Sequence, residues 1–362
     1  MPTPADPTPP DARPRPVVLL GPTAGGKSEL AAALAERLGG PVIGADSMQV
    51  YRHLDAGTAK PPPELRKRVR HHLIDVVEPT QRFTVHDWLR QAEAAIRDAL
   101  DAGRTPVVVG GTNLYLKALL GGLFDGPGRD AAFRATLQDV PGPELHARLA
   151  AVDPDAADRI APADRPRLTR ALEVFHMTGR PISDWQVQWG KPVSGEWGAM
   201  SGEIRRPGSP HSPTPTHHSL LLGLRWPAEA INPRINLRVR AMFHPEKVDP
   251  ALAAAVCPRG ESLPAEVRRL VAEGRLLPGA QACAALGYKQ VLGVLFPERF
   301  PELIDPRLRT LDDAYERTKV LTRRFAKQQR TWLKRFAGVR WIEMPHADPT
   351  GDALRWLAAE NE

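Results

Sequence analysis

Residues 17–38 read VVLLGPTAGGKSELAAALAERL, and the order of residue types in that stretch decides the fold. Val17 to Leu20 form a short apolar run of strand type, and the segment from Gly21 to Ser28 matches the pattern GxxxxGK[ST]. Leu30, Leu34 and Leu38 then recur every four residues, which predicts a helix that Gly39 ends. A strand, a glycine-rich turn and a helix in this order make a phosphate-binding loop, because the turn's N–H groups and the helix N-terminus face one point. Gly21, Pro22, Thr23, Ala24, Gly25, Gly26, Lys27 and Ser28 are therefore the candidate diphosphate or triphosphate site. Lys27 adds a cation, and Ser28 offers a hydroxyl to a magnesium ion.

Working outward, Val42 and Ile43 read as a second strand, Ala92 to Leu100 as a helix, and Thr105 to Val109 as a third strand running into Gly110 and Gly111. This alternation predicts an α/β fold, a P-loop NTPase-like parallel sheet flanked by helices. Residues 17–124 would form the first part of its core and residues 219–362 the second, with LLLGLRW after Ser219 marking the sheet's return. Between them, residues 125–200 lose the strand pattern and read as a helical insertion domain punctuated by Pro141, Pro143 and Pro154. Residues 1–16 are proline-rich and read as a disordered tail. Residues 201–218, SGEIRRPGSPHSPTPTHH, read as a low-complexity loop whose histidines are solvated rather than metal-binding. The remainder is mostly helical and ends in a basic helix and a short strand at Val339 to Ile342.

A formal charge of +7 and a pI near 9.6 point toward a polyanionic partner. Cys257 and Cys283 are too far apart in sequence for a CxxC motif or a metal quartet and read as idle or buried thiols. The N-terminus lacks the apolar core of a signal peptide and no uncharged run is long enough to cross a bilayer, so the expectation is a cytoplasmic protein without membrane contact.

Strand ends on the carboxyl side of a parallel sheet share one crevice. The second strand ends in ADSMQVY, which puts Asp46 beside the phosphate loop. There Asp46 can act on whatever attacks the phosphate, or Asp46 or Ser47 can cap a helix; the strand-end position favours the first role. The third strand ends in GGTNLY, where the Thr112 hydroxyl can meet a ligand or cap the next helix, and the residues do not choose between the two. Arg317 to Phe336 carries eight cations and no acid, among them Arg323, Lys327 and Arg330. Leu321, Phe325, Trp332 and Phe336 fall near one face of this helix and read as core, leaving the basic face for a phosphate backbone. His71, His72 and Trp185 read as structural.

The ordered set GPTAGGKS, ADSMQVY, HHLID, VVVGGTNLY, RALEVF, GYKQ and RRFAKQQRTWLKRF resembles the tRNA dimethylallyltransferase family over about residues 17–342. The resemblance implies an enzyme that moves a dimethylallyl group from dimethylallyl diphosphate to the N6 amine of the adenosine 3′ of the anticodon in tRNA. It implies Mg2+ as cofactor, a diphosphate held by Thr23 to Ser28, and Asp46 as general base, with Lys27 and Thr112 as its catalytic companions. It further implies tRNA contacts at Asp46, Ser47, Met48, Gln49, Thr112 and Arg134, and along the stretch containing Arg167 and Arg170. A monomer is expected. The chain departs from the family at Pro166, where the family has Gln, and at Gln290, often an acid. It also departs in FHPEKVDPALAAAVCPRGES (243–262), where the family runs directly from one helix to the next. Read without the resemblance, the first two motifs also suit a small-molecule kinase using ATP, and the whole suits a nucleotide-dependent RNA-binding module.

Overall fold

The computed structural model describes residues 14–123, 126–186 and 219–360. Most of the tail expected at 1–16, all of the loop expected at 201–218 and the end of the expected helical insertion lie outside the described residues. The chain divides into two compact units. Of the described residues, the first comprises 14–120 and 219–360, and the second comprises 121–123 and 126–186.

The first unit is built on a six-stranded, wholly parallel sheet in the order β3-β2-β4-β1-β5-β6. Its strands are β1 (Val17–Leu20), β2 (Val42–Gly44), β3 (His71–His72), β4 (Val107–Val109), β5 (Leu220–Arg225) and β6 (Arg340–Glu343). β1 lies at the centre, with Val17 opposite Val107 of β4 on one side and Leu220 of β5 on the other. All four β1 side chains are buried, as expected of a strand covered on both faces. The α/β class read from the sequence is the observed one.

Helix α1 (Lys27–Leu38) buries Leu30, Ala31, Leu34 and Ala35 and ends at Gly39, whose left-handed conformation returns its N–H to the Ala35 carbonyl. α2 spans Pro63–Arg68, and α3 spans Val85–Asp101, seven residues longer at its start than the pattern from Ala92 suggests. The signal for that start was present: Thr84 and Asp87 form a reciprocal capping box. Trp88 of α3 is fully buried, donates to the Gly44 carbonyl at 2.7 Å and stacks on Tyr115 of α4 (Asn113–Gly121). These contacts fix the ends of β2 and β4 beside each other. His71 and His72, read as merely structural, form the edge strand β3.

The second unit holds α5 (Ala131–Thr136), α6 (Gly142–Val152), α7 (Pro154–Arg159), α8 (Arg165–Thr178) and α9 (Ile182–Trp185) around a core that includes Leu145, Leu149, Leu168 and Val174. Pro166 sits in the first turn of α8, where a backbone N–H has no helical partner to lose. Glu173 of α8 is fully buried and accepts from Arg134 Nε at 2.6 Å, Arg170 Nη1 at 2.6 Å and the Asp130 N–H at 2.8 Å.

The first unit continues with α10 (Ala228–Phe243), α11 (Pro250–Val256), α12 (Leu263–Ala272), α13 (Tyr288–Leu295), α14 (Leu311–Leu333) and α15 (Pro349–Ala359). α15, beyond the last expected strand, went unread in the sequence. Gln290 accepts the Gly287 N–H at 2.8 Å and so caps α13, a task its amide oxygen performs as well as a carboxylate. Cys257 and Cys283 are buried, and burial pushes their thiols up to about 12 and about 11. Among the described residues no helix is long and apolar enough to cross a membrane.

One expectation about α14 is corrected. Its buried face is Ala314, Thr318, Ala326, Gln329 and Leu333, with Phe336 beyond its end, whereas Phe325 is 37% exposed. α14 packs against α10 and α13, and close helix approach selects small side chains.

Burial opposes ionisation of Glu173 most strongly, yet the hydrogen bonds from Arg134, Arg170 and Asp130 outweigh it and hold the carboxyl down at about 2. A depressed carboxyl stabilises the fold above its ordinary value of 4.5, and that stabilisation is lost as pH falls toward 2. Glu173→Gln should destabilise the second unit by about 3 kcal/mol at neutral pH, because two arginines lose a shared anion. Hydrogen exchange in α8 reports this directly; unchanged protection would show the triad to be energetically idle.

Candidate active site

Three loops leave the carboxyl ends of β1, β2 and β4 and meet in one cavity of about 810 Å3, walled also by α10, α11 and α14. The first is the glycine-rich loop. Gly26, with φ +84°, caps α1 and turns the chain into the helix. Lys27 folds back so that Nζ donates to the Pro22 carbonyl at 2.7 Å. The outer arm of the loop is held by later elements: Thr23 N donates to Gln329 Oε1 at 2.8 Å, and Arg238 Nη1 to Thr23 Oγ1 at 3.2 Å. Arg234 Nε donates to the Ala24 carbonyl at 3.0 Å, and Trp226 Nε1 to that of Gly25 at 3.1 Å.

The second loop carries Asp46. Its Oδ1 accepts the N–H groups of Met48 at 2.9 Å and Gln49 at 3.3 Å. No helix begins at this point, so the helix-capping alternative read from the sequence does not hold: one oxygen closes a turn, and the side chain also lines the cavity. Ser47, Met48 and Gln49 line it too.

The third loop starts at Gly110, where a Cβ would stand 2.0 Å from the Ala45 carbonyl oxygen, so only glycine lets β4 exit this close to β2. Thr112 neither caps α4 with its hydroxyl nor leaves it unbonded. Its Oγ1 accepts the Ser47 N–H at 2.9 Å and donates to Ser47 Oγ at 3.3 Å, clamping the second loop to the third. Gln329 completes the brace by donating from Nε2 to the Gly111 carbonyl at 2.8 Å.

The electrostatics follow from this packing. Burial, and then the neighbouring Arg238 guanidinium, push Lys27 down to about 7, with Asp46 opposing the shift. Burial likewise lowers Arg238 to about 10 against the pull of Asp46. Two desolvated cations share one carboxylate, so the site is electrostatically incomplete until an anion enters. Ser28 lines the cavity beside Lys27. Among the described residues no group of three or more His, Cys, Asp or Glu could cage a metal.

Arg238 and Gln329 were missed in the sequence reading. Arg234 and Arg238 lie one turn apart on α10, beside the buried stripe Ile231, Ile235 and Val239, and that i,i+4 spacing was the available signal. Gln329 lies in register with buried Ala326 and Leu333, a polar residue where the helix period demands a buried one.

The remaining candidates divide by their partners. Arg323 donates to Asn236 Oδ1 at 2.7 Å and Arg330 to the Trp226 carbonyl at 3.2 Å, whereas Lys327 is exposed. Arg317 meets Asp305 at 3.7 Å and Lys319 meets Glu316 at 2.6 Å. Exposed with Lys327 are Arg324, Lys334 and Arg335. Leu321 and Phe325, expected in the core, line the cavity instead, with Leu237 of α10. In the second unit Arg134 gives its guanidinium fork to Glu173, while Arg170 shares its own between Glu173 and the carbonyls of Gly128 and Pro127; Arg167 is exposed and pairs with Asp164 at 3.3 Å.

Residues 49–336 match the IPP transferase family. The chain is similar to a tRNA dimethylallyltransferase of Geobacter sulfurreducens, 41% identical over 91% of this chain and 92% of the relative. It is also similar to tRNA dimethylallyltransferase 1 of Citrifermentans bemidjiense, 39% identical over 94% and 97%. Among solved structures it resembles a full-length tRNA isopentenylpyrophosphate transferase from Bacillus halodurans, with a TM-score of 0.60, 30% identity and 96% of each chain covered.

The depressed Lys27 gives a pH signature for anion binding. Above pH 7 the Lys27 amine is largely neutral, and a bound diphosphate favours its charged form. Inorganic diphosphate should therefore bind with proton uptake at pH 8, and its affinity should fall as pH rises above 7. Calorimetry in two buffers of different ionisation enthalpy measures this. The uptake should vanish in Lys27→Ala; persistence there would assign the proton to another group.

Proposed function

Because the chain belongs to the IPP transferase family, we propose that its cavity binds dimethylallyl diphosphate and prenylates the N6 amine of the adenosine 3′ of the anticodon. The enzyme is a prenyltransferase acting on tRNA. The observation that carries the proposal is the pairing, in one cavity, of an incomplete cationic cradle with an aspartate at its side.

The adenine amine is a weak nucleophile because its lone pair is delocalised into the ring, so catalysis must act mainly on the leaving group. Lys27, Arg238 and the N–H groups of the glycine-rich loop stabilise the charge that develops as the allylic C–O bond breaks and its electron pair passes to the diphosphate. The amine lone pair forms the new C–N bond, and the displaced N–H proton passes to Asp46 and then to solvent. Thr112 acts by holding Ser47, and with it the Asp46 loop, against β4. The target adenine leaves its stack to enter the cavity, where Phe325 and Leu237 offer apolar surface.

Magnesium would suit a site with few protein ligands, since it keeps several of its waters when bound. Ser28 would hold it beside the diphosphate, where it would supply positive charge against the leaving group. The exposed cations of α14 and Arg167 are the proposed tRNA backbone contacts, joined by Arg134 and Arg170, whose side chains stay 28% and 30% exposed beside Glu173. A monomer is the proposed form, and a cytoplasmic location suits a tRNA substrate.

Mass analysis of tRNA nucleosides after incubation with dimethylallyl diphosphate and magnesium tests the reaction; no added prenyl group would overturn it. Asp46→Asn should keep donor affinity but lower single-turnover transfer by roughly 10² to 10⁴, while Lys27→Ala and Arg238→Ala should lose donor binding as well. Near-normal transfer by Asp46→Asn at saturating substrates would remove Asp46 as base. Replacing Lys327, Lys334 and Arg335 together by Glu should weaken tRNA binding and flatten its salt dependence without changing diphosphate affinity, since all three are exposed and outside the cavity lining. An unaltered salt slope would show that this face does not meet tRNA.

A further inference from the structure

A carboxylate that the chemistry above does not use is buried behind one wall of the cavity. Glu266 of α12 is 1% exposed, and both of its oxygens accept hydrogen bonds. Oε1 takes the Asp55 N–H at 3.1 Å and the Tyr288 hydroxyl, and Oε2 takes the Ala56 N–H at 3.1 Å. Tyr288, at the start of α13, is fully buried, and its oxygen accepts the Gly57 N–H at 3.3 Å. Three successive N–H groups of one loop therefore end on a Glu–Tyr pair supplied by two helices far along the chain. Such a run of N–H groups forms an anion-binding concavity, and here the protein fills it with its own carboxylate.

The same loop faces the cavity with its next residues, Gly57 to Pro62. Gln49 Nε2 donates to the carbonyls of Thr58 at 3.2 Å and Ala59 at 3.0 Å, and the Gln49 N–H donates to Asp46 Oδ1. A continuous chain of bonds thus runs from Glu266 and Tyr288 through loop 55–59 to Gln49 and Asp46. The loop is strained: Ala59 has φ +50°, a left-handed conformation that costs a non-glycine residue about 1 kcal/mol. At Gly57 a Cβ would stand 2.4 Å from Tyr288 Cε2, so the ring and the loop are fitted to each other. Burial pushes the Glu266 carboxyl up to about 7, against the hydrogen bonds that favour its charged form. For stability alone, apolar packing of similar volume would serve as well as a buried ionisable group. What the carboxylate and hydroxyl add is a fixed loop orientation.

We propose that Glu266 and Tyr288 are positioning residues for the acceptor amine, acting through loop 55–59 and Gln49 to set the orientation of Asp46. The proposal rests on the reading of Asp46 as the base. The donor cradle has separate anchors, because Thr23, Ala24 and Gly25 are tied to α10, α14 and Trp226. Acceptor-side and donor-side effects should therefore separate.

The test uses the full chain carrying Tyr288→Phe or Glu266→Gln, with wild type and Asp46→Asn assayed alongside. Dimethylallyl diphosphate affinity should stay within about twofold, while single-turnover transfer at saturating tRNA should fall roughly tenfold to a hundredfold, as expected for a misplaced reacting group. Glu266→Gln should have the larger effect, since its amide sets N–H donors against a backbone N–H. Should that variant fail to fold, Tyr288→Phe, which removes one oxygen and keeps the ring, decides the matter. Unchanged transfer, or a loss of donor affinity in step with transfer, would reduce the pair to a structural support. Wild-type-like transfer by Asp46→Asn would instead remove the premise and the proposal together, and absence of transfer by wild type would overturn the functional reading itself.

Discussion

Holding Lys27 and Arg238 out of water beside a single carboxylate is the constraint around which the first unit is arranged. Neither cation forms an ion pair with Asp46. Lys27 rests on the Pro22 carbonyl, Arg238 on the Thr23 hydroxyl, and Asp46 turns one oxygen to the N–H groups of Met48 and Gln49. A direct Lys27–Asp46 bridge would satisfy both charges and consume both functions. Neutral partners orient the three groups without quenching them, and the low Lys27 value records what this arrangement costs before an anion arrives.

The brace that keeps these groups in place must not add charge of its own, which explains the choice of glutamine at 329. Its side chain supplies one acceptor to Thr23 and one donor to Gly111 in the same fully buried position. Glutamate there would lack the donor and draw on the field of Lys27 and Arg238; lysine would lack the acceptor and add a third cation. The ends of β1 and β4 are thus tied by a residue whose neutrality is as important as its length.

The sheet was legible in the sequence because its central strands are short apolar runs followed by glycines, and both patterns arise from local physics. That Lys27, Asp46 and Thr112 line one cavity was legible because strand ends on the carboxyl side converge in any parallel sheet. The bonds of the Thr112 hydroxyl to Ser47 were not legible, because whether a hydroxyl meets a neighbouring loop depends on packing that no spacing rule encodes. β3 was missed because two histidines carry no strand pattern; they pair because β2 offers them an edge. Phe325 was misassigned for a related reason. Helical periodicity shows which residues share a face, but whether an aromatic face meets core or cavity depends on the neighbouring helices.

Counting cations along a helix has the same weakness, and α14 shows how it resolves. Arg323 and Arg330 turn inward to an amide and a carbonyl that would otherwise want donors, so they brace α10 and the exit of β5. The exposed Arg324, Lys327 and Lys334 are separated by three and seven residues and therefore fall along one stripe of the helix. Phe325 and Gln328, each one position further on, line the cavity, so the stripe borders its mouth. One helix turn advances about 5.4 Å, and cations spaced about one and then about two turns apart beside an opening present a positive edge to a polyanion. The inward arginines set where that edge lies, and the outward residues give it charge. A sequence count of eight cations could not separate these two duties, because the difference rests on which carbonyls and amides of other elements come within reach.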